Sequence, residues 1–318
     1  MISVSCLGSV YKHTLVSQCR TAIDSLLAGD CLPSEIVVVV DGPIAAELDS
    51  LLSSYSRAGY VKLVRLSANQ GLARALNAGL AICSSEIVCR FDTDDINLPS
   101  RISSIRKAFQ ADSALDILGS SIFEFAEASN GISVRLKKSA TEHDIIINSM
   151  NYVNPLNHPS VAFRKSSICS IGGYRHMRFF EDYCLWLIAR RVGLRFGNLA
   201  DPLVCMRRAG LLARRSGFQY AQDEARFCYF SVKNGLISPF SVFPFALRCM
   251  SRLMPGFLQQ FQSYLPWRFP SSSEACPELL KWLAFEANAE LASEVGYPYW
   301  SSKSCVAEES AARVRLPE

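Results

Sequence analysis

Asp92, Asp94 and Asp95 crowd three carboxylates into four residues, directly after the apolar run at 86–91. Carboxylates this close raise one another's proton affinity unless a cation offsets the repulsion. All-oxygen donors suit a hard divalent ion such as Mg2+ or Mn2+, and Mg2+ commonly joins one or two carboxylates to substrate phosphates. Solvated acidic loops are common, but they seldom hang directly from a buried strand. The implied chemistry is metal-assisted work on a nucleotide.

Further residues could serve such a site. Glu181-Asp182 opens an apolar helical stretch. Acids there suit a helix N-terminus, and equally a general base aimed at an acceptor hydroxyl. Asp41-Gly42-Pro43 reads as a tight turn, or as an acceptor for a nucleobase N–H or a ribose hydroxyl. Arg74 lies one turn into a helix starting at Gly71, whose free N–H groups would attract phosphate. From there Arg74 could reach a diphosphate, although a lone Arg on a helix is more often simply solvated. Gly172-Gly173-Tyr174 gives a flexible lead-in to the acids, and Asn157-His158-Pro159 offers a polar contact through His158. No GxGxxG or GxxxxGK[ST] motif is present, which disfavours a dehydrogenase or a P-loop enzyme.

The elements that must position these residues follow from periodicity. Strands are expected at 2–7, 35–40, 61–66 and 87–91, alternating with helices at 16–28, 45–55 and 71–82 and one opened by Pro99. The β-branched run at 35–40 marks a strand buried on both faces. Such alternation predicts βαβ units, with a parallel sheet covered by helices on both sides. Ligands of open α/β sheets bind beyond the carboxyl ends of the strands. Gly8 to Tyr11, Asp41 to Pro43 and Asp92 to Asp95 therefore converge on one edge. After residue 115 the rhythm changes to strands at 115–125 and 132–136 around Ser129-Asn130-Gly131, a loop at 154–159, a helix at 181–192 and a strand at 195–206. Residues 266–277 read as a Ser/Pro-rich linker, 279–295 as an amphipathic helix capped by Gly296, and 301–318 as a tail.

Bulk properties narrow the class. The 318 residues are 49% hydrophobic and 19% charged, ample for a packed core. A net charge of +4 is too small to argue for nucleic acid, yet residues 201–270 carry +6 and residues 271–318 carry −4. The twelve cysteines show neither CxxC pairs nor zinc spacing, so they read as reduced, mostly buried thiols of a cytosolic protein. No secretory signal pattern opens the chain. No stretch reaches the roughly 18–20 uninterrupted apolar residues of a membrane span. The nearest, 240–258, is interrupted by Arg248 and Arg252. There Phe240, Phe243, Phe245, Leu247, Leu253, Met254, Phe257 and Leu258 interleave with those arginines, ahead of Trp267-Arg268. The pattern suits the surface of an anionic membrane or packing against the rest of the chain.

Taken together, Ser9-Val10-Tyr11, Val39 to Pro43, Asn69 to Leu80, Asp92 to Pro99, Asn154 to Lys165, Gly172 to Tyr174 and Glu181 to Leu187 resemble a family. In that order and spacing they are similar to the inverting GT-A glycosyltransferases of family 2, in the bacterial exopolysaccharide and lipopolysaccharide branch. The resemblance implies an α/β GT-A fold, a Rossmann-like and mostly parallel sheet flanked by helices, with a C-terminal helical extension. It places a catalytic domain at 1–210, a basic, apolar helical extension at 211–269, and a linker, helix and tail at 270–318. It implies that Val10, Tyr11, Asp41, Arg74, Asp92 and Thr93 line a nucleotide-sugar site. Asp92 and Asp94 fall on the DxD positions that hold Mn2+ or Mg2+, with Asp94 the direct ligand and Asp95 in support. Asp182 falls on the catalytic base, and Glu181 and His158 on donor or acceptor contacts. At 183–186 many members carry a further acid and a basic residue, which this chain lacks. A Gln-Xaa-Xaa-Arg-Trp element is also absent, which fits single-sugar transfer. The implied partners are a UDP-sugar and a saccharide acceptor, free or on polyprenyl diphosphate, and the implied place is the cytoplasm, with the inner face of the plasma membrane as the alternative. Two other readings stay open: a sugar-phosphate nucleotidyltransferase, although Gly8 to Lys12 poorly matches its Gly-rich loop, and a non-catalytic scaffold of a polysaccharide assembly complex.

Overall fold

The computed structural model describes residues 2–128, 131–208, 215–253, 271–273 and 276–289. Its first part is the expected alternation: β1 (Val4–Val10), α1 (Val16–Leu27), β2 (Glu35–Asp41), α2 (Ala46–Arg57), β3 (Val61–Leu66), α3 (Leu72–Ile82) and β4 (Ile87–Arg90). The four strands pair in parallel in the order β4-β1-β2-β3. Side chains on a strand point to alternate faces, and β2 shows why its valine run must be a central strand. Val37 and Val39 enter one core cluster with α3, while Ile36, Val38 and Val40 enter another with α1 and α2.

The second part turns antiparallel. It comprises β5 (Ile96–Asn97), α4 (Arg101–Ala111), β6 (Ile117–Ala128), β7 (Gly131–Lys137), α5 (His143–Ser149), β8 (Ala162–Arg164), α6 (Lys165–Ser170), α7 (Glu181–Arg191) and β9 (Phe196–Arg207). β8 sits antiparallel between β4 and β6, and β7 pairs antiparallel with β6. β9 runs parallel to β6 with register shifts near Ser121, and antiparallel to β5. The sheet is therefore mixed, parallel through β4-β1-β2-β3 and mainly antiparallel beyond it, apart from the β6–β9 pair.

Three helices complete the described chain: α8 (Gly217–Lys233), α9 (Val242–Arg252) and α10 (Pro277–Ala289). Tyr220 and Phe227 of α8 and Phe245 of α9 join the core around α7. Residues 271–273, expected within a linker, instead form β10 against β7. Ser129, Asn130, Arg214, residues 254–270, Gly296 and the tail at 301–318 lie outside the described residues. Most cysteines of the described residues are buried, and all are free. Among the described residues no helix is long and apolar enough to cross a membrane.

Candidate active site

The acidic loop leaves β4 beside β1, because Phe91 N–H donates to Leu7 O (2.9 Å) and Thr93 Oγ1 donates to Ser9 O (3.2 Å). Carboxylate oxygens of Asp92, Asp94 and Asp95 all lie within 4.8 Å of one another. Asp95 is buried and its Oδ1 accepts the Arg207 backbone N–H (2.8 Å), but its Oδ2 has no hydrogen-bond partner. Burial, then the charges of Asp94 and Asp92, push the Asp95 carboxyl well above its ordinary range. An orphaned buried oxygen beside two more carboxylates is a donor set that a hard divalent cation fits.

Two arginines that sequence reasoning passed over shape this loop. Arg90 ends β4 as a buried guanidinium paired with Asp92. Arg101, on the first turn of α4 and 1% exposed, donates to Asn97 Oδ1, to Arg90 O and to Pro159 O (2.6 Å). It thereby ties the acidic loop to the 158–160 turn. The available signal was a basic residue soon after Asp92 to Pro99, which reads equally well as a solvated helix start.

Asp41, at the carboxyl end of β2, is buried and fully oriented. Its Oδ1 accepts Gln70 N–H (2.7 Å), and its Oδ2 accepts Gly71 N–H (3.0 Å) and Asn69 Nδ2 (3.0 Å). Of the N–H groups expected to face phosphate at the start of α3, Asp41 takes only that of Gly71, the N-cap, and the first-turn N–H groups from Leu72 on are not among its donors. Oδ1 keeps capacity for one more donor. The turn requires glycine at two places. Gly71 has φ +86, and at Gly42 (φ +83) a Cβ would fall 2.4 Å from Asn69 N. Arg74 is exposed on the first turn of α3. Tyr11 is exposed just past β1, edge-on to His13. Val10 is fully buried, so only its backbone could face a ligand.

Glu181 and Asp182 open α7. Asn154 Nδ2 donates to Asp182 Oδ2 (2.7 Å), and Tyr183 N–H donates to Oδ1 (2.7 Å). Asn77 grips the lead-in, accepting Tyr174 N–H (2.9 Å) and donating to Tyr174 O (2.8 Å), so α3 fixes the approach to α7. His158 is held in a hydrogen bond with Tyr174 Oη (3.0 Å) and edge-on to Trp186. Burial and nearby Arg90 depress its pKa well below the ordinary value, so it is neutral. The sequence picked out Asn77, Asn154 and Tyr174 only as members of longer segments.

Burial raises the Asp182 pKa, opposed by Tyr183 N–H, Arg215, Asn154 and Arg90. Burial and the charge of Asp182 push Glu181 up to about 7, and Asp92 adds to this while Arg90 opposes it. Glu181 thus feels both Arg90 and Asp92 of the acidic loop. A group whose folded pKa rises from 4.5 to about 7 destabilises the native state as pH climbs through that window. Glu181→Gln is therefore expected to match wild type near pH 4.5 and to be more stable above pH 7, by up to about 3 kcal/mol. Thermal melts from pH 4 to 9 check the shift.

A groove of about 520 Å³, lined by Leu32, Glu35, Tyr60 and Lys62 among others, lies at the amino ends of β2 and β3. That is the wrong end of a parallel sheet for its ligand.

Comparison with known proteins agrees with the geometry. The profile of Glycosyl transferase family 2 matches residues 17–171. The chain is 32% identical over 261 residues to the amylovoran biosynthesis glycosyltransferase AmsE of Erwinia amylovora, covering 81% of this chain and 96% of AmsE. It is 36% identical over 220 residues to the UDP-Gal:alpha-D-GlcNAc-diphosphoundecaprenol beta-1,3-galactosyltransferase of Escherichia coli, covering 68% of this chain and 78% of that enzyme. In fold it matches the mannosyltransferase PcManGT of Pyrobaculum calidifontis, solved with GDP-Man and Mn2+, at a TM-score of 0.54 and 16% identity over 92% of this chain and 76% of that one. The chain belongs to glycosyl transferase family 2, and is a glycosyltransferase of the GT-A fold from the branch that builds bacterial surface polysaccharides.

Proposed function

We propose that this enzyme moves a single hexose from a UDP-sugar to a saccharide carried on a polyprenyl diphosphate, with inversion and with Mn2+ or Mg2+ bound. The observation that carries the reading is the pairing of a three-carboxylate loop, one oxygen of which is orphaned, with a separately oriented carboxylate at Asp182. The relative from Escherichia coli supports the donor and acceptor classes, since its name gives UDP-Gal, a lipid diphosphate acceptor and a β linkage. When bound, a divalent ion held by Asp92, Asp94 and Asp95 would offset charge on the leaving diphosphate.

The chain's own residues do the rest. Asp41 and the backbone of Val10 and Tyr11 hold the nucleoside. Arg74 meets the diphosphate and stabilises charge that grows as it leaves. Asp182 takes the proton of the acceptor hydroxyl as its oxygen attacks the anomeric carbon. Asn154 aims that carboxylate, and Arg90 favours its ionised form. Thr93 and Arg101 keep the acidic loop in place. One displacement with no glycosyl-enzyme intermediate inverts the anomeric centre. The anomeric configuration of the product, read by NMR from an α-linked donor, tests this. A β product is expected, and an α product would contradict direct displacement. We assign catalysis to a unit at 1–210, with the 211–269 extension and the later helix built onto it.

The extension bears on where the enzyme works. Arg248 and Arg252, for which the sequence left membrane contact and packing open, turn inward. Both pair with buried Glu224 of α8, at 2.7 and 3.4 Å, and serve packing. The opposite side of α9 leaves Phe243, Leu247, Met250 and Leu253 exposed, with Phe240 just ahead, while Arg226 and Lys233 of α8 are exposed cations. We assign this apolar face to the membrane holding the acceptor lipid. The double variant Phe240→Ser, Phe243→Ser should lose at least about tenfold in affinity for phosphatidylglycerol vesicles in co-sedimentation. Its turnover on a water-soluble acceptor should stay normal. Unchanged vesicle binding would remove the face from this role.

A further inference from the structure

We propose that Glu286 of α10 is a positioning residue for the acidic loop, acting through Arg207. The inference rests on the reading of Asp92, Asp94 and Asp95 as a cation site, and it gives a task to the acidic C-terminal region, for which the sequence suggested none. Arg207 ends β9, and the pairing of β9 with β5 (Ile96↔Cys205, Asn97↔Val204) brings it alongside the loop that immediately precedes β5. Its backbone N–H donates to Asp95 Oδ1 (2.8 Å) and its Nε donates to Asp94 O (3.2 Å). The same residue therefore holds two consecutive members of the acidic loop, one by its carboxylate and one by its carbonyl.

A guanidinium is a planar fork, so fixing its far end fixes the direction of Nε. The far end is fixed twice. Nη2 donates to Glu286 Oε2 (2.7 Å), and Nη1 donates to Glu127, while the group lies over the Phe125 ring. Glu127 is about half exposed and Glu286 is 14% exposed, so the contact from α10 is the less screened of the two. α10 is itself anchored. Leu279 and Cys276 are buried with Ile96, Leu98 and Phe125, and Cys276 Sγ lies 3.7 Å from Cys205 Sγ. Ile96 lies on β5, Leu98 just after it and Cys205 on β9, so helix and loop share one apolar cluster. Removing the Glu286 carboxylate would free the guanidinium to turn away from Asp94 O and let the loop relax.

The test uses the full chain and reads Mn2+ affinity directly, by calorimetry and by the loss of free-ion EPR signal, beside UDP affinity in EDTA and the melting temperature. Glu286→Ala should weaken Mn2+ binding about tenfold, within the range for outer partners of metal ligands. UDP affinity in EDTA should stay at the wild-type value, and Glu286→Gln, which keeps an acceptor, should recover most of the loss. If Glu286→Ala does not fold, Glu286→Gln against Arg207→Lys makes the same comparison, with the larger loss expected for Arg207→Lys. Wild-type Mn2+ affinity in folded Glu286→Ala, or in folded Arg207→Lys when the alanine variant fails, would overturn the inference. So would a parallel fall in Mn2+ affinity, metal-free UDP affinity and melting temperature, since that is mere structural loss. A wild-type chain that binds no Mn2+ would overturn the parent reading and this inference together.

Discussion

Asp182→Asn should bind UDP-sugar as wild type does and turn over roughly 10^2- to 10^4-fold more slowly, the usual range for a lost general base. The substitution keeps the shape of the side chain, and its one amide oxygen can still accept the Tyr183 N–H at the start of α7, giving up only the acceptor for Asn154 Nδ2. What it removes is the capacity to accept a proton from the acceptor hydroxyl. Single-turnover rates with donor prebound isolate that step, and calorimetry confirms that donor affinity is retained. Near-normal turnover would transfer the role to Glu181, the other acid at the start of α7.

Asp94→Ala should abolish the metal-dependent part of nucleotide binding, a loss of at least about 100-fold in affinity with Mn2+ present, beyond what outer partners of a ligand supply. Binding in EDTA, which relies on Asp41 and its neighbours, should not move. The variant should also melt no lower than wild type in EDTA. Asp94 repels Asp95, whose buried carboxyl is already pushed well above its ordinary range, so its removal relieves a conflict. A metal ligand and a plain structural residue differ in this respect: losing the second lowers stability with or without metal. Persistence of Mn2+-dependent UDP binding in Asp94→Ala would move the cation elsewhere.

How much of this could be read beforehand depends on how far apart in the chain the partners lie. The parallel half was legible because its signals are local: the valine run of β2 is central by composition, and Asp41 and Asp92 lie at strand ends. The Glu181-Asp182 pair was visible for the same reason, since acids directly before an apolar helix stand out. What composition hides is pairing over distance. Asn154 reaches Asp182 across 28 residues, and Arg207 reaches Asp95 across 112. Neither spacing follows from a period of two or 3.6. Arg90 looked like the end of an apolar run, and only the fold shows it buried against Asp92. For the arginines of α9 the sequence left membrane contact and packing open, because amphipathic spacing shows which residues share a helix face but not which face meets the core. Glu224, the partner that turns them inward, belongs to another helix. The grip of Asp41 on Gln70 and Gly71, just ahead of α3, was hidden for the same reason, since the acceptor sits some 30 residues earlier.

The most direct test of metal-dependent nucleotide-sugar chemistry is a calorimetric titration of the purified chain with UDP, GDP and CMP, each with Mn2+ and with EDTA. The account predicts that UDP binds, that Mn2+ tightens it strongly, and that GDP and CMP bind weakly under both conditions. Absence of binding for all three by a demonstrably folded protein would contradict it and favour a scaffold without catalysis.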